Sequence, residues 1–252
     1  MQLQSGAVQG GAVQVVLRAI YPPQCLTCDA RVTTDFGLCG PCWRDTPFIA
    51  GLTCDKCGVP LPGEGPQDGA PVFCDDCLTL ARPWDRGRAA LLYKDNARKI
   101  VLGLKHADRV DLAWPAAVWM AQLAAPLILP EMVVAPVPLH WLRLLKRKYN
   151  QAALLAQGVA QRLRLDYCPD LLLRSRRTPT QEGRDRDGRF ANLAEALRPH
   201  PRRVDRMLGR PVLLVDDVMT SGATLAAAAD VCLAAGASSV NVLVLARVAK
   251  DM

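Results

Sequence analysis

One stretch decides the fold of this 252-residue chain: Val212-Leu-Leu-Val-Asp216-Asp217-Val-Met-Thr220-Ser221-Gly222-Ala223-Thr224. Its first four residues form an apolar run that is typical of a buried strand, and two adjacent carboxylates end that run. A hydroxyl-rich turn around Gly222 then leads into an alanine-rich segment, residues 223–235, which predicts a helix closed by Gly236. A strand, a turn and a helix in this order indicate one unit of an α/β fold.

The turn after this strand has the composition of a phosphate site. Open α/β sheets bind ligands at the carboxyl ends of their strands, and a helix N-terminus there offers backbone N–H groups to an anion. Gly222 lets the backbone approach a ligand closely, and Asp216 and Asp217 can accept hydrogen bonds from a vicinal diol such as that of ribose. Simple capping of the strand and the helix is the alternative, but the whole ordered string favours a ligand site. The predicted phosphate cradle comprises Thr220, Ser221, Gly222, Ala223 and Thr224.

Strand and helix patterns alternate from Arg82 onward, which indicates β-α repetition and a largely parallel sheet. Short apolar runs predict strands at residues 89–93, 132–137, 171–173, 212–215 and 240–246. Helical periodicity predicts helices at residues 96–105, 112–125, 150–163 and 223–235. The polar stretch between Arg174 and Arg210 is too long for an ordinary connection and is typical of a functional lid.

Eight of the ten cysteines stand in pairs separated by two residues, which is the spacing of zinc knuckles. Two such pairs complete a tetrahedral shell of four sulfurs, so the sequence predicts two structural zinc sites. Sequential pairing is the simpler arrangement, and cross-braced pairing stays open. Disulfides, redox dithiols or iron would use the same residues but explain the fourfold repetition less well. The predicted ligands are Cys25, Cys28, Cys39, Cys42, Cys54, Cys57, Cys74 and Cys77.

These patterns divide the chain into two predicted domains. Residues 1–80 would hold an N-terminal surface helix, residues 12–20, and a double zinc ribbon, while residues 81–252 would form the α/β domain. Cys168 and Cys232 lie in apolar contexts within the second part, and we expect both to be buried small hydrophobic residues.

The net charge of +7 is unevenly distributed. Residues 1–80 hold 4 basic and 8 acidic side chains, while residues 81–252 hold 27 basic and 16 acidic ones. Residues 143–210 alone carry 17 basic against 7 acidic side chains, so the basic excess is local and suggests an anionic partner.

Neither export nor a membrane span is expected. The first twenty residues lack the charged start, the long apolar run and the cleavage site of a signal peptide, so we expect a reducing cytoplasmic location. Residues 112–130 are long and apolar enough to test as a span, but Pro115, Pro126 and Pro130 interrupt them. A buried helix followed by a loop is the better interpretation.

The stretch from Val212 to Thr224 resembles the phosphoribosyl-pyrophosphate signature of type I phosphoribosyltransferases. The chain as a whole resembles the ComF family of competence proteins, also called GntX in some bacteria. Motifs along nearly the full length carry this second resemblance: the cysteine pairs, Tyr93-Lys94 with Leu104-Lys105, Pro136-Val-Pro138-Leu-His140, Arg147-Lys-Tyr-Asn150-Gln151, and Thr178-Pro-Thr-Gln181 through Arg189 and Asn192.

Two departures from the family pattern affect the pyrophosphate side of the expected site. Family members usually carry Arg-Gly-Phe-Asn-Gln where this chain has Arg147-Lys148-Tyr149-Asn150-Gln151, so a lysine replaces a glycine. A Gly-Gly pair is likewise replaced by Ala107-Asp108.

The resemblance implies a phosphoribosyltransferase, which is a glycosyltransferase that displaces pyrophosphate from phosphoribosyl pyrophosphate, with Mg²⁺ as cofactor. Asp216 and Asp217 would be the catalytic carboxylates that hold the ribose hydroxyls, and residues 220–224 would hold the 5′-phosphate. Candidate groups for the pyrophosphate and the lid are Lys105, Arg147, Gln181 and Arg189.

Three functions agree with these residues. The first is an active phosphoribosyltransferase in DNA uptake and natural transformation, whose acceptor the sequence leaves unnamed because only 5% of the chain is aromatic. The second is a non-catalytic protein that senses nucleotides or handles single-stranded nucleic acid with residues 143–210. The third is a scaffold whose zinc module docks a protein of the DNA-uptake machinery.

Overall fold

The computed structural model describes residues 20–106, 109–174 and 196–249, and the chain divides into two compact units, Met1–Asp45 and Thr46–Met252. The domain boundary expected at residue 80 stays a prediction. Cys54 and Cys57, which lie on the N-terminal side of that boundary, belong to the core of the larger unit, where they are fully buried. The expected surface helix lies outside the described residues apart from Ile20.

The described helices follow the order of the chain. The smaller unit contains α1 (Gly40–Arg44), and the larger unit contains α2 (Asp75–Thr79), α3 (Asp95–His106), α4 (Ala113–Gln122), α5 (Trp141–Arg147), α6 (Gln151–Leu163) and α7 (Ala223–Ala234). Short 3₁₀ turns occupy Val110–Leu112, Ala125–Leu127 and Val204–Arg206.

The strands of the larger unit are β1 (Gly87–Leu92), β2 (Val133–Pro136), β3 (Asp166–Tyr167), β4 (Leu172–Arg174), β5 (Leu197–Pro199), β6 (Pro211–Met219) and β7 (Ser239–Arg247). Five of them form one sheet in the order β1-β7-β6-β2-β3, in which every pair is parallel. The antiparallel pair β4-β5 is separate. The predicted mostly parallel α/β fold is confirmed.

The central strand β6 is longer than its apolar run predicts. It continues through both carboxylates to Met219 because β7 pairs beside it, with Asp216 opposite Val244 and Met219 opposite Arg247. The expectation that Asp216 and Asp217 end the strand is therefore wrong. They lie inside its last half, where neighbouring strands fix the backbone.

Some short elements of the α/β part were not predicted, namely α5, β3 and β5. Each has fewer than eight residues, which is too few for periodicity to identify. The segment predicted as one polar connection contains β5 and the turn Val204–Arg206, while residues 175–195 lie outside the described residues.

One apolar core joins the sheet to α7. Val212 and Leu214 of β6 pack there with Val242 of β7 and the alanines of α7, and Cys232 is fully buried among them. The expected burial of Cys168 and Cys232 is confirmed, and burial raises the pKa of the Cys232 thiol to about 12. On the opposite flank α6 packs closely on α4, where a Cβ at Gly158 would lie 2.6 Å from the Ala117 Cβ.

Among the described residues, none of the helices combines the length and the apolar character needed to cross a bilayer. The long apolar stretch, residues 112–130, forms α4 and a 3₁₀ turn instead.

Candidate functional site

The loop between β6 and α7 has the geometry of a phosphate cradle. Thr220 and Ser221 are exposed after the strand, and Gly222 caps α7 with a left-handed backbone, φ +80°. The Ser221 hydroxyl accepts a weak hydrogen bond from the Ala223 N–H at 3.4 Å. Because the first N–H groups of a helix have no partner within it, this loop can surround an anion with donors.

Gly222 is required by two independent constraints. Its positive φ is a conformation that only glycine adopts without strain. A Cβ at this position would also lie 2.7 Å from an Arg82 guanidinium nitrogen and 3.2 Å from the Trp84 ring. The tight turn at Gly222 therefore packs against the side chains of Arg82 and Trp84, which precede β1 in the chain.

The two carboxylates lie beside this loop, in the last half of β6. The Asp216 carboxylate accepts a hydrogen bond from the Asp217 N–H at 2.8 Å, and Asp217 is buried. Burial, followed by the charge of Asp217, raises the pKa of Asp216 to about 8. A carboxyl pair of this kind favours a cation or hydroxyl donors that would compensate its charge.

Lys105 is brought to the same place from α3. Its ammonium lies 3.2 Å from the Asp217 carboxylate. The backbone beside it is held by the Leu104 carbonyl, which accepts hydrogen bonds from the Tyr149 hydroxyl at 2.8 Å and from the Gln151 amide at 3.2 Å. Tyr149 and Gln151, which follow α5, thus help to fix the position of Lys105. The Lys105 ammonium in turn faces the Asp217 carboxylate.

Arg147 lies beside Gln151. Its guanidinium donates to the Gln151 side-chain oxygen at 3.3 Å, so it adjoins the group that holds Leu104. Lys148 has a left-handed backbone, φ +66°, at the position where family members usually carry glycine. Gln181 and Arg189 lie outside the described residues, and their assignment to the lid stays a prediction.

Two buried arginines, neither of them predicted from the sequence, donate hydrogen bonds to backbone carbonyls of the loop. Arg82 donates to the Ser221 carbonyl at 2.6 Å, while Arg247 donates to the carbonyls of Thr220 at 2.6 Å and Met219 at 3.2 Å. Arg247 ends a mostly apolar strand, and Arg82 precedes Trp84. A charge at the edge of a buried segment is the signal that could have identified them.

The eight knuckle cysteines form two groups, each with its ligand atoms within 4.8 Å of one another. The first cluster comprises Cys25, Cys28, Cys39 and Cys42, and the second cluster comprises Cys54, Cys57, Cys74 and Cys77. Sequential pairing is confirmed.

Both clusters fit zinc. Tetrahedral Zn²⁺ with Zn–S bonds of about 2.3 Å places its sulfurs about 3.8 Å apart. The Cys28 and Cys39 sulfurs are 3.5 Å apart, and those of Cys57 and Cys74 are 3.6 Å apart. In the second cluster, hydrogen bonds from Cys57 and Cys77 hold the pKa of Cys54 far below that of an ordinary thiol. A Cys54 thiolate is one of the four sulfur ligands that a structural zinc ion needs.

Comparison with known proteins agrees with the two cysteine clusters and with the α/β fold of the sheet. A double zinc ribbon domain model matches residues 16–78, and a phosphoribosyl transferase domain model matches residues 150–251. The chain is 31% identical over 218 residues to the DNA utilization protein YhgH of Escherichia coli (strain K12), covering 84% of this chain and 91% of the relative. The chain belongs to the ComF family.

Two further relatives agree with this membership. The Salmonella typhi protein of the same name is 31% identical to this ComF-family chain over 234 residues, covering 90% of this chain and 97% of the relative. Competence protein F of Haemophilus influenzae is 28% identical over 217 residues, covering 84% and 90%.

Among solved structures, the allosteric regulatory enzyme of purine biosynthesis superposes with a TM-score of 0.39 and 19% identity, over 57% of this chain and 30% of that one. A Thermus thermophilus protein superposes with a TM-score of 0.35 and 21% identity, over 56% of this chain and 85% of that one.

Proposed function

We propose that this ComF-family protein binds phosphoribosyl pyrophosphate, or a related phosphoribosyl compound, at the loop between β6 and α7. The observation that carries the proposal is the succession of a carboxylate pair on β6, the left-handed Gly222 and the N-terminus of α7. A 5′-phosphate would accept hydrogen bonds from the backbone and the hydroxyls of Thr220 and Ser221. The ribose hydroxyls would donate to Asp216 and Asp217.

The same groups suit transfer chemistry. Displacement at the anomeric carbon breaks the C–O bond to pyrophosphate, which leaves with the electron pair, and forms a C–N bond to an acceptor that loses a proton. Positive charge develops on the ring, which the carboxylates would stabilise, and negative charge develops on the leaving group, which Lys105 would stabilise.

The carboxylate pair also fits Mg²⁺, which prefers oxygen ligands and binds through one or two carboxylates together with substrate phosphates. Asp216 and Asp217 would hold this ion, directly or through the ribose hydroxyls, and bound Mg²⁺ would neutralise charge on the pyrophosphate. The buried pair and the raised pKa of Asp216 support this assignment, because a second cation beside Lys105 would favour its ionised form.

Calorimetric titration of the zinc-loaded protein with phosphoribosyl pyrophosphate and Mg²⁺ tests the proposal. We expect saturable binding by the wild type and a loss of at least about 100-fold for Asp216→Asn/Asp217→Asn, since two charge-assisted contacts disappear. The control is Asp230→Asn, which removes an exposed carboxylate from α7. The absence of any binding by folded wild-type protein would contradict the proposal. If the wild type binds, a screen of nitrogenous acceptors separates transfer from binding alone.

The second candidate function is a role in handling single-stranded DNA, and the relatives are named for DNA utilization and for competence. Several cations between residues 143 and 210 are taken up by ion pairs, such as Arg203 with Asp170 and Arg206 with Asp166. Others are exposed and could contact backbone phosphates, with the steep salt dependence that such contacts produce. These exposed cations include Lys148, Arg198 and Arg202.

Charge reversal at Lys146, Arg147 and Lys148 tests this second candidate. We expect weaker binding of single-stranded DNA and a shallower dependence on salt, because fewer phosphates are neutralised. DNA binding that is left unchanged would contradict the candidate. A cytoplasmic location and a partner protein in DNA uptake stay predictions.

A further inference from the structure

The segment between the second cluster and β1 touches both the zinc knuckle and the phosphate loop. Lys56 stands between two ligands of the cluster, Cys54 and Cys57. The Trp84 indole N–H donates to the Lys56 carbonyl at 2.6 Å, and the Lys56 ammonium donates to the Trp84 carbonyl at 2.6 Å. This reciprocal pair ties the knuckle to Trp84, which is fully buried.

Trp84 in turn supports the arginine that holds the loop. The Arg82 guanidinium lies over the Trp84 ring, with its carbon 5.3 Å from the ring centroid, and donates to the Ser221 carbonyl. The Trp84 ring and an Arg82 nitrogen both lie where a side chain at Gly222 would point. A continuous series of contacts therefore runs from the zinc ligands to the turn that would hold a phosphate.

The arginines behind the loop also set its polarity. Arg82 and Arg247 bind the carbonyls of Met219, Thr220 and Ser221, so these acceptors point toward the protein. With the carbonyls held inward, the N–H groups and hydroxyls of the turn are left for a ligand. Within the described part of the chain, the Nε atoms of both arginines are buried and have no hydrogen-bond partner. Their charges are thus only partly compensated by neutral carbonyls and attract an anion to the loop.

We propose that the second zinc ribbon is part of the phosphoribosyl site, and that Trp84 and Arg82 are positioning residues that transmit its order to the loop from Thr220 to Thr224. This inference rests on the function proposed above for that loop. It assigns to the ribbon a role in ligand affinity in addition to its role in folding.

The test compares three variants of the full zinc-loaded chain. Arg82→Gln removes the charge and the strong hydrogen bond to Ser221, while Arg82→Lys keeps the charge. Trp84→Phe keeps a ring under Arg82 but removes the hydrogen bond to Lys56, leaving all eight zinc ligands in place. Arg210→Gln is the matched control, because its partly buried guanidinium bonds to Glu131, Asp166 and Arg206.

The first measurement needs no ligand. NMR order parameters of the amides at residues 220–224 report how firmly the loop is held, with about 0.85 for rigid backbone and less than about 0.6 for flexible backbone. We expect a fall toward the flexible value in Arg82→Gln, a smaller fall in Trp84→Phe, and partial rescue in Arg82→Lys. Zinc content should stay at that of the wild type in all variants, and Arg210→Gln should leave the loop unchanged.

The second measurement is the affinity for phosphoribosyl pyrophosphate with Mg²⁺. We expect a loss of at least about tenfold for Arg82→Gln and about threefold for Trp84→Phe, from the charge-assisted and the neutral hydrogen bond respectively. Unchanged order parameters in both Arg82→Gln and Trp84→Phe would overturn the inference, whatever the ligand does. A wild type with an ordered loop that binds no phosphoribosyl pyrophosphate would instead overturn the proposed function. If Arg82→Gln does not fold, Trp84→Phe decides the question alone.

Discussion

The two four-cysteine clusters use the same ligands but differ in what surrounds them. In the first cluster Cys28 is exposed, while Cys25 and Cys42 are buried within the smaller unit. In the second cluster Cys54 and Cys57 are fully buried, and they belong to the same core as Trp84, Met219 and Leu225. One spacing rule therefore produces a first cluster within the smaller unit and a second cluster whose cysteines are part of the core of the larger unit.

The second ribbon is also attached by polar groups. The Asp55 carbonyl accepts from the Gly87 N–H at 2.7 Å, and the Asp55 carboxylate forms an ion pair with Arg88 at 2.7 Å. These contacts pair the knuckle with the first residues of β1. Loss of the second ribbon should therefore damage the sheet, whereas loss of the first should not.

The largest expected effect on stability comes from removing a zinc ligand of the second cluster, and removal of a ligand of the first cluster is the comparison. Cys57→Ser should lower the free energy of unfolding of the larger unit by at least about 4 kcal/mol, because it removes zinc affinity and places a hydroxyl in the core. Cys28→Ser should leave the unfolding of that unit within about 0.5 kcal/mol of the wild type, since its side chain is exposed in the smaller unit.

Denaturant unfolding followed by the circular dichroism of the sheet gives this comparison, with zinc analysis of each variant. Each substitution should reduce the zinc content by about one ion per chain. Equal destabilisation by Cys28→Ser and Cys57→Ser would show that the two clusters are equivalent in their attachment to the sheet.

A smaller effect is expected at the glycine that follows a ligand in each cluster. Gly58 has φ +70°, and a Cβ there would lie 2.5 Å from the Ala89 backbone nitrogen, whereas nothing lies within 4 Å of a Cβ at Gly40. Gly58→Ala should cost about 3 kcal/mol, because the collision is with the backbone of β1 and adds to the strain of a positive φ. Gly40→Ala should be neutral to within about 0.5 kcal/mol.

Gly51→Ala separates the cost of a positive φ from the cost of a collision with the backbone. Gly51 has φ +75° but open space around its Cβ position, so its substitution should cost only about 1 kcal/mol of conformational strain. Thermal unfolding of the three variants gives the order. A Gly58→Ala protein as stable as Gly51→Ala would mean that the second ribbon can move away from β1.

The sequence predicts these features unevenly, for physical reasons. The cysteine spacing and the strand–turn–helix around Gly222 are local patterns, and the structure confirms the two clusters and the helix that begins at Ala223. The attachment of the second ribbon was not predicted, because the hydrogen bonds of Trp84 to Lys56 and of Arg82 to Ser221 join segments distant in sequence. No periodicity or spacing rule reports contacts of this kind.

The smallest predicted effect concerns the free energy of unfolding that the carboxylate pair on β6 costs as the pH rises. The pKa of Asp216 is raised from 3.8 to about 8, so between these values the folded state holds a proton that the unfolded state has lost. The contribution of Asp216 to the free energy of unfolding is therefore fully present below about pH 4 and declines as the pH rises toward about 8. Asp216→Asn removes the dependence, because an amide does not ionise.

Asp216→Asn should thus gain about 2 kcal/mol of stability relative to the wild type between about pH 6 and about pH 8. Denaturant unfolding between these pH values measures it, a range in which cysteine ligands still retain zinc. Asp205→Asn, which removes an exposed carboxylate of the same unit, serves as the control for charge alone. If the phosphoribosyl site works as proposed, wild-type affinity for its ligand should rise over the same pH range, because the ionised carboxylate accepts the hydroxyl hydrogen bonds. Stability and binding would then depend on one carboxyl group with opposite signs, and a parallel rise of both with pH would contradict the assignment of Asp216 to the site.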